Sequence, residues 1–264
     1  MNIHTIILAA GKGTRMNTNL PKVMQPLGGR SLVSYVISTA QKSSKKITVV
    51  VGHQKELLKK HLAEIDSSIQ ITSQDKQLGT AHAVKTVSHL IHDDEKVLIL
   101  YGDVPLISDK TIQSLINSKS KCTLLSMILS DPTGYGRIVF DEKNFALKII
   151  EQKDASEEER NIKEVFSGIM MIDGSLLEPA LEEINNRNAA NEYYLTDLVE
   201  ILSAKGVKIN CIQANPTELL GANNKQELHE LESILREMSA EKLLEQGITL
   251  LDASRVDVRG EVEA

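Results

Sequence analysis

The chain has 264 residues, enough for one large α/β domain or two small ones, and 41% of them are hydrophobic, which allows a sizeable core. Only 3% are aromatic, which disfavours a base-stacking nucleic-acid surface, and no apolar stretch approaches the roughly 20 residues that cross a bilayer. The net charge of −6 is uneven, because residues 1–55 contain eight Lys or Arg and no Asp or Glu. This uneven charge predicts an anionic ligand near the N-terminal end.

Strand-like and helix-like segments alternate through the first half of the chain. The apolar run HTIILAA predicts the first buried strand, and further strands are predicted at ITVVV, IQITS, VLILYGD and CTLLSMIL. Helices are predicted between them at SLVSYVISTAQ, KELLKKHL, TAHAVKTVSHLI and DKTIQSLINS. This alternation is typical of βαβ units, so the fold class is α/β with a mostly parallel sheet flanked by helices.

The pattern changes after Asp131. Two short segments, GRIVF and LKII, predict a β-hairpin, and VFSGIMMID predicts another buried strand. Helices are predicted at SLLEPALEEI and YYLTDLVEILSAKG, so we expect a mixed sheet rather than a purely parallel one. Cys122 and Cys211 are isolated in apolar, strand-like segments, which favours free thiols in a reducing cytoplasm over a disulfide.

The chain from Lys225 onward has a different character. Apolar residues recur at helical spacing up to Gly247, which is placed to end a helix: Leu228, Leu231, Leu235, Met238 and Leu243. We expect this helix to pack back on the core, with a partner-binding arm as the alternative. The tail ITLLDASRVDVRGEVEA looks like strand pieces without a domain to close them. The predicted boundaries are 1–224 for the main domain, 225–247 for a linker helix and 248–264 for the start of a further domain.

The segment LAAGKGTRM is the first candidate ligand loop. Its glycines let the backbone turn sharply and approach a ligand closely. Met16 occupies the sixth position, where a dinucleotide fingerprint has glycine, and the Walker A pattern is absent as well. Arg15 and, after Pro21, Lys22 supply positive charge suited to a polyphosphate. Asp103 ends a predicted strand, where a carboxylate either caps a turn or binds Mg²⁺.

Six motifs occur in order along the chain: LAAGKGTRM, LPKVM, QLGTAHA, YGDVPLI, DPTGYGRI and GANN. Together they resemble the uridylyltransferase half of the bacterial bifunctional N-acetylglucosamine-1-phosphate uridylyltransferase/glucosamine-1-phosphate acetyltransferases. The resemblance implies a glycosyltransferase-A-like fold and a Mg²⁺-dependent reaction of UTP with N-acetylglucosamine 1-phosphate. The products would be pyrophosphate and UDP-N-acetylglucosamine for cell-wall precursor synthesis.

The resemblance also implies the residues that bind the nucleotide. Arg15 and Lys22 would hold the triphosphate as catalytic residues. Gln74 would donate to a uracil carbonyl and accept from its N3–H. The remaining nucleotide-side residues, several acting through main-chain groups, would be Leu8, Ala9, Ala10, Gly11, Gly79, Thr80, Tyr101 and Gly102.

On the metal and sugar side, the resemblance makes Asp103 a catalytic residue and, with Asn223, a ligand of Mg²⁺. Gly136 and Glu151 would contact the amino sugar. Ser167 stands where the family generally has Asn. A hydroxyl replaces an amide there, so we expect a water to fill the gap and affinity for the sugar phosphate to fall modestly.

The sequence leaves the roles of a few residues and the exact activity undecided. His82 is read as a helix residue near the pocket rather than a metal ligand, and 192–196 is expected to contribute to the site. The alternatives to the UTP enzyme are a cytidylyl- or thymidylyltransferase on another sugar phosphate and a non-catalytic nucleotide-sugar-binding module. The family continues into a β-helix that carries acetyltransfer and trimerisation, so we expect this chain to lack acetyltransferase activity and to be a monomer or weak oligomer.

Overall fold

A computed structural model describes residues 2–260. The strands are β1 Ile3–Ala9, β2 Pro26–Leu27, β3 Arg30–Ser31, β4 Lys46–Val51, β5 Gln70–Ser73, β6 Lys96–Tyr101, β7 Cys122–Ile128, β8 Gly136–Phe140, β9 Ala146–Ile150, β10 Glu164–Asp173 and β11 Ile209–Gln213. The helices are α1 Leu32–Gln41, α2 Lys55–Ile65, α3 Thr80–Lys85, α4 Asp109–Ile116, α5 Gly174–Leu181, α6 Asp197–Ala204, α7 Pro216–Leu219 and α8 Lys225–Glu245.

The central sheet has nine strands, and its main path runs β11-β7-β10-β6-β1-β4-β5. Only β10 on this path runs antiparallel to both neighbours, and the other strands share one direction. The predicted hairpin forms from β8 and β9, and it joins the sheet through β10. The predicted mixed, mostly parallel α/β fold is therefore confirmed. The strand β11, which was not among the predicted elements apart from the segment around Cys211, pairs with β7.

Helices cover both faces of the sheet. Successive strand residues point to opposite sides, so an apolar strand such as β1 contributes buried side chains to both faces. On β1, Ile6 and Leu8 pack in one core with α3, α5 and α6. Ile7 and Ala9 pack in a second core with α1, α2 and α4. Every residue of β1 is buried, as expected for a central parallel strand covered on both sides.

The parallel strands bring their carboxyl ends to a common edge. β1 ends at Ala9, which pairs with Val51 at the end of β4. Leu8 pairs with Tyr101 at the end of β6, on the other side of β1. Ligands of open parallel sheets bind outside this edge, so the fold places the glycine loop and Asp103 where a ligand is expected.

Helix α8 packs back on the main domain over its first two turns, as expected. Leu228 and Leu231 are buried with Met16, Leu27 and Leu32 in a third apolar cluster. The second half of α8 is more exposed, and Met238 is 45% accessible. Among the described residues, no helix is long and apolar enough to span a membrane.

Three predicted elements differ from the structure. The helix predicted over 193–206 begins only at Asp197, because the N–H groups of Tyr193 and Leu195 bond to the turn at the start of α3 instead. The helix predicted over 80–91 ends at Lys85, because the Thr86 hydroxyl donates to the carbonyl of Ala83 and the chain continues as a short 3-10 turn, Ser88–Leu90. The strand pieces predicted over 248–264 are wrong for 248–260, where the chain forms a 3-10 turn, Ala253–Arg255, against α8. The last four residues of that segment lie outside the described residues. Cys122 and Cys211 are free thiols, as expected.

Candidate active site

Lys22, Asp103 and Asn223 meet at the carboxyl edge of the sheet. The Lys22 Nζ donates to Asp103 Oδ2 at 2.5 Å and to Asn223 Oδ1 at 3.0 Å. The Lys22 and Asp103 side chains are only 17% and 10% exposed. Residues that are 81 and 201 positions apart in the chain thus share one polar centre, where a carboxylate and an amide oxygen converge on a single cation.

Backbone contacts fix the position of this centre. Gly13 has a φ of 58°, and a Cβ placed there would lie 2.7 Å from Lys22 Cβ, so the glycine lets the loop close against Lys22. Asp103 directly follows Gly102, whose N–H donates to the Leu8 carbonyl at 3.0 Å. The Asp103 carbonyl in turn accepts from the N–H of Ala222 at 3.2 Å. Backbone hydrogen bonds at the ends of β1 and β6 and in the loop at Ala222 therefore hold Asp103 in place, and the glycine loop closes against Lys22.

Glu227 holds Asn223 in place, a role that the sequence analysis missed. Its Oε2 accepts from the Asn223 backbone N–H at 2.7 Å and from the amide Nδ2 at 3.0 Å. This contact leaves Asn223 Oδ1 facing Lys22. Asn224 caps α8 and bonds Glu227 Oε1 through its own amide. The Asn-x-x-Glu spacing is a capping signal that could have revealed Glu227.

A cavity of about 330 Å³ opens at the polar centre. Five of the expected site residues line it besides Asp103: Arg15, Lys22, Tyr101, Ser167 and Asn223. Arg15 is exposed in the 3-10 turn that follows Gly13, so its side chain is accessible at the rim. Tyr101 is packed against Gly168, where a φ of 93° and a Cβ that would lie 2.7 Å from the ring require glycine.

Ser167 lies in the cavity wall, but its hydroxyl hydrogen is engaged within the protein. Its Oγ donates to the Leu125 carbonyl at 2.9 Å and accepts from the Ile169 N–H at 3.2 Å. Only the remaining acceptor capacity of the hydroxyl can face a ligand. If Ser167 contacts the sugar as expected, its hydroxyl oxygen can therefore only accept a hydrogen bond from the ligand.

Gln74 directly follows β5 and is buried beside the end of β4, with 4% of its surface exposed. Its backbone N–H donates to the Val51 carbonyl at 2.8 Å. Its Nε2 lies 2.9 Å from the Gly79 carbonyl oxygen and 2.9 Å from His82 Nδ1. Both hydrogens of the Gln74 amide are therefore engaged within the protein in this arrangement. The amide nitrogen has no hydrogen left for the expected donation to a uracil carbonyl, but the amide oxygen Oε1 can still accept a hydrogen bond.

Gly79 and Thr80 join this base-side group to a second segment of chain. Gly79 has a φ of 117°, and a Cβ there would lie 2.4 Å from the Tyr193 carbonyl oxygen. The Thr80 hydroxyl accepts from the Leu195 N–H at 2.9 Å. The segment 192–196, which was expected near the site, is thereby hydrogen-bonded to the turn that follows Gln74.

Gly136 and Glu151 lie together on the hairpin. A Cβ at Gly136 would lie 3.7 Å from Glu151 Oε1, and the same oxygen accepts from the Thr196 hydroxyl at 3.0 Å. Burial, more than the nearby carboxylates, raises the pKa of Glu151. Glu151 lines a neighbouring cavity with Asp154 and Asp197, whereas Ser167 lines the cavity of Lys22, so the residues expected to contact the sugar are divided between two cavities.

The four residues expected to act through their main chain lie at the end of β1. Leu8, Ala9 and Ala10 are buried, and Gly11 is exposed with open space around its Cα. The carbonyls of Leu8 and Ala10 accept from Gly102 and His53, so these two oxygens are already bonded within the sheet edge. Open space at Gly11 leaves room for a ligand to approach the backbone.

The donor set at the polar centre suits Mg²⁺. That ion prefers oxygen ligands and keeps several waters, so one carboxylate and one amide oxygen are a suitable protein contribution. The Lys22 ammonium bonds both oxygens at once, which indicates that their lone pairs converge on one position. Over residues 2–260, no group of three or more His, Cys, Asp or Glu side chains could hold a metal ion, so a site richer in carboxylates is not an alternative there.

Comparison with known proteins identifies the family. Residues 5–164, more than half of the chain, match the family described as the MobA-like NTP transferase domain. The chain belongs to this family. The matched region includes the glycine loop, Lys22, Gln74 and Asp103, so most of the candidate site lies within the family domain.

Individual relatives agree with this assignment. The chain is 45% identical to the bifunctional protein GlmU of Hydrogenovibrio crunogenus, 43% to that of Idiomarina loihiensis and 41% to that of Clostridioides difficile. These matches cover 99–100% of this chain but 58% of each relative, so the chain spans less than two thirds of their length.

A solved structure supports the fold. The structure of a UDP-glucose pyrophosphorylase complexed with UDP-glucose superposes with a TM-score of 0.72 at 19% identity. It covers 90% of this chain and 100% of the other. The likeness extends over nearly the whole chain and bears on architecture alone.

Proposed function

We propose that this protein transfers UMP from UTP to N-acetylglucosamine 1-phosphate, releasing pyrophosphate. The observation that carries the proposal is the meeting of Lys22, Asp103 and Asn223 at one edge of the sheet. Membership of an NTP transferase family and similarity to bifunctional GlmU proteins support the same reaction class. We further propose that residues 1–224 form the catalytic domain and that 225–247 serve as a linker helix.

The reaction requires two anions to meet. A phosphate oxygen of the sugar attacks the α-phosphorus of UTP, the bond from that phosphorus to the bridging oxygen breaks, and pyrophosphate leaves. A phosphate monoester is already a nucleophile near neutral pH, so little proton transfer is needed. Catalysis therefore depends on positioning and on neutralising charge. Arg15 and Lys22 offer cationic groups at the cavity for the triphosphate.

Asp103 and Asn223 would hold Mg²⁺, which when bound supplies positive charge that offsets the phosphates. The same two oxygens accept from Lys22 in this structure, so the ammonium and the ion compete for them. Lys22 would release these oxygens where they hold the ion, and its ammonium would then be free to bind a phosphate oxygen. In the absence of substrate, Lys22 neutralises Asp103 instead.

The remaining residues would bind the base and the sugar. Gln74 would accept the N3–H of uracil through Oε1. Gly136 and Glu151 would contact the amino sugar, with Thr196 fixing the Glu151 carboxylate through its hydroxyl. The Thr80–Leu195 hydrogen bond links the base-side turn to this segment. Such a link would keep the two substrates at a constant separation.

The experiment that tests the proposal is a pyrophosphate-release assay with UTP, Mg²⁺ and N-acetylglucosamine 1-phosphate. Parallel reactions contain the galactosamine and glucosamine analogues, or CTP or dTTP in place of UTP. We expect the highest kcat/KM with UTP and the N-acetylglucosamine substrate. A higher value for CTP, or for another sugar phosphate, would contradict the proposal.

A pair of variants tests the role of the polar centre. Asp103→Ala is expected to retain UTP binding but to lower Mg²⁺-dependent turnover by roughly 10²-fold or more, the typical effect of losing one preorganised electrostatic group. Asp75→Ala is the control, because Asp75 forms an exposed ion pair with Lys55 away from the cavity. Equal turnover of the two variants would show that Asp103 has no catalytic role, and absence of turnover in the wild-type protein as well would favour the non-catalytic module.

A further inference from the structure

The amide of Gln74 has one permitted orientation in this structure. The atom 2.9 Å from the Gly79 carbonyl oxygen must be a donor, because a main-chain carbonyl can only accept. That atom is therefore the amide nitrogen Nε2, and the Gln74 oxygen Oε1 lies on the other side of the group. The orientation of the amide follows from a backbone contact and does not depend on the choice made for the side chain itself.

The tautomer of His82 follows from the same contact. Nε2 of Gln74 also lies 2.9 Å from His82 Nδ1, and an amide nitrogen can only donate. Nδ1 must then be the acceptor, so the hydrogen of the neutral ring is on His82 Nε2. Burial, followed by the charge of Lys85, lowers the pKa of His82, which favours the neutral ring.

We propose that His82 is a positioning residue that restricts Gln74 to the recognition of imide bases. The inference rests on the proposed function, in which Gln74 faces the base. With Nε2 held by Gly79 and His82, Gln74 presents only an acceptor, Oε1, to the nucleotide. Among the described residues, Oε1 has no hydrogen-bond partner of its own.

An acceptor at this position discriminates between pyrimidines. Uracil and thymine carry N3–H, a donor that Oε1 can accept. Cytosine has a lone pair at N3, which would face the lone pairs of Oε1 and leave both buried groups unpaired. Leaving buried polar groups without partners lowers affinity by roughly tenfold or more. His82 thus contributes to the choice of base without touching the base.

Among residues 2–260, His82 is the one acceptor of Gln74 Nε2 that can be removed by mutation, because the other is a main-chain carbonyl. In His82→Leu the side-chain volume is largely kept but Nδ1 is lost, so the Gly79 carbonyl alone holds the amide and one Nε2 hydrogen becomes available to a base that offers an acceptor at N3. His82→Asn supplies an oxygen near the position of Nδ1 and is the rescuing variant. His89→Leu is the matched control, because His89 is exposed and lies seven residues further along the chain.

Calorimetric titration with UTP, dTTP and CTP in the presence of Mg²⁺ tests the proposal without a sugar substrate. We expect His82→Leu to bind UTP and dTTP roughly tenfold more weakly, with CTP binding unchanged or improved. His82→Asn and His89→Leu are expected to retain the wild-type preference. A uniform loss for all three nucleotides, or an unchanged ratio of UTP to CTP affinity, would overturn the proposal.

A second measurement uses the unmodified protein, so it remains decisive if His82→Leu does not fold. The ¹⁵N NMR spectrum of the His82 ring is expected to show Nδ1 unprotonated and Nε2 protonated at neutral pH. A ring protonated at Nδ1 would rule out the proposed hydrogen bond. Failure of this inference can be distinguished from failure of the proposed function. If the wild-type protein binds UTP selectively but does not use N-acetylglucosamine 1-phosphate, the proposed reaction is contradicted and the role of His82 is not.

Discussion

Replacing Lys22 by methionine tests the polar centre directly. The change keeps the length of the side chain but leaves the Asp103 carboxylate without its cation. At 2.5 Å and an effective dielectric constant of about 20, the gross attraction in this pair is about 7 kcal/mol. Desolvation and loss of side-chain freedom offset most of that attraction. Breaking a fully buried pair destabilises by about 3–5 kcal/mol, and the residual exposure of 17% and 10% reduces this to about 2 kcal/mol.

Thermal unfolding and kinetics measure the two consequences. A loss of about 2 kcal/mol corresponds to a decrease in Tm of roughly 4–8 °C for a protein of this size. Turnover in the pyrophosphate-release assay is expected to decrease by about 10²-fold, because Lys22→Met also removes a cation that neutralises phosphate charge. The UTP concentration is varied to separate the effect on KM from that on kcat.

Lys55→Met is the control for Lys22→Met. Lys55 also pairs with a carboxylate, at 2.8 Å, but its side chain and that of Asp75 are 38% and 75% exposed. Exposed pairs contribute little, so an unchanged Tm and normal turnover are expected. If Lys22→Met matched Lys55→Met in both assays, the polar centre would have neither the structural nor the catalytic role argued for it.

Three further predictions concern other parts of the site. Burial and neighbouring carboxylates raise the pKa of Asp197 from 3.8 to about 6, so the folded state favours the protonated carboxyl. The stability that this carboxyl contributes is present below pH 4 and lost as the pH rises through 6. In urea titrations, Asp197→Asn should therefore raise the free energy of unfolding by about 1 kcal/mol at pH 8, after allowance for exposure, and by less at pH 4.5. Gly79→Ala should lower stability by about 2 kcal/mol or more and weaken UTP binding, because its Cβ would lie 2.4 Å from the Tyr193 carbonyl oxygen. Ser167→Asn should lower the KM for the sugar phosphate, measured in the same assay, because an amide restores a donor that the engaged serine hydroxyl lacks.

Each of these predictions has a control or a contradicting result. An equal gain in stability at both pH values would exclude titration of Asp197 as its cause. Gly206→Ala is the control for Gly79→Ala, since Gly206 has a φ of 78° but open space around the added Cβ, so it separates backbone strain from the contact with Tyr193. An unchanged or higher KM in Ser167→Asn would mean that the missing amide does not limit sugar binding.

The sequence by itself determined the fold class and most of the elements. The buried first strand, the alternating helices and the hairpin from Gly136 to Ile150 all follow from local periodicity and turn chemistry, which act over a few residues. The same local signals identified candidate ligand-binding residues: the glycine loop with Arg15 and Lys22, and Asp103 at the end of a strand. Where local signals compete, the prediction failed: the helix beginning at Thr80 is shorter because the Thr86 hydroxyl bonds back to the helix backbone.

Only the tertiary structure decided which of these residues act together. The contact of Lys22 with Asp103 and Asn223 depends on parallel strands and on the chain returning to the sheet edge after more than 80 and 200 residues, respectively, and no local pattern encodes it. The positioning of Gln74 by His82 also escaped the sequence analysis, because periodicity shows which face of a helix a histidine occupies but not which nitrogen accepts a hydrogen bond. Hydrogen-bond direction is fixed by three-dimensional neighbours, and at this site those neighbours determine the chemistry that the protein can perform.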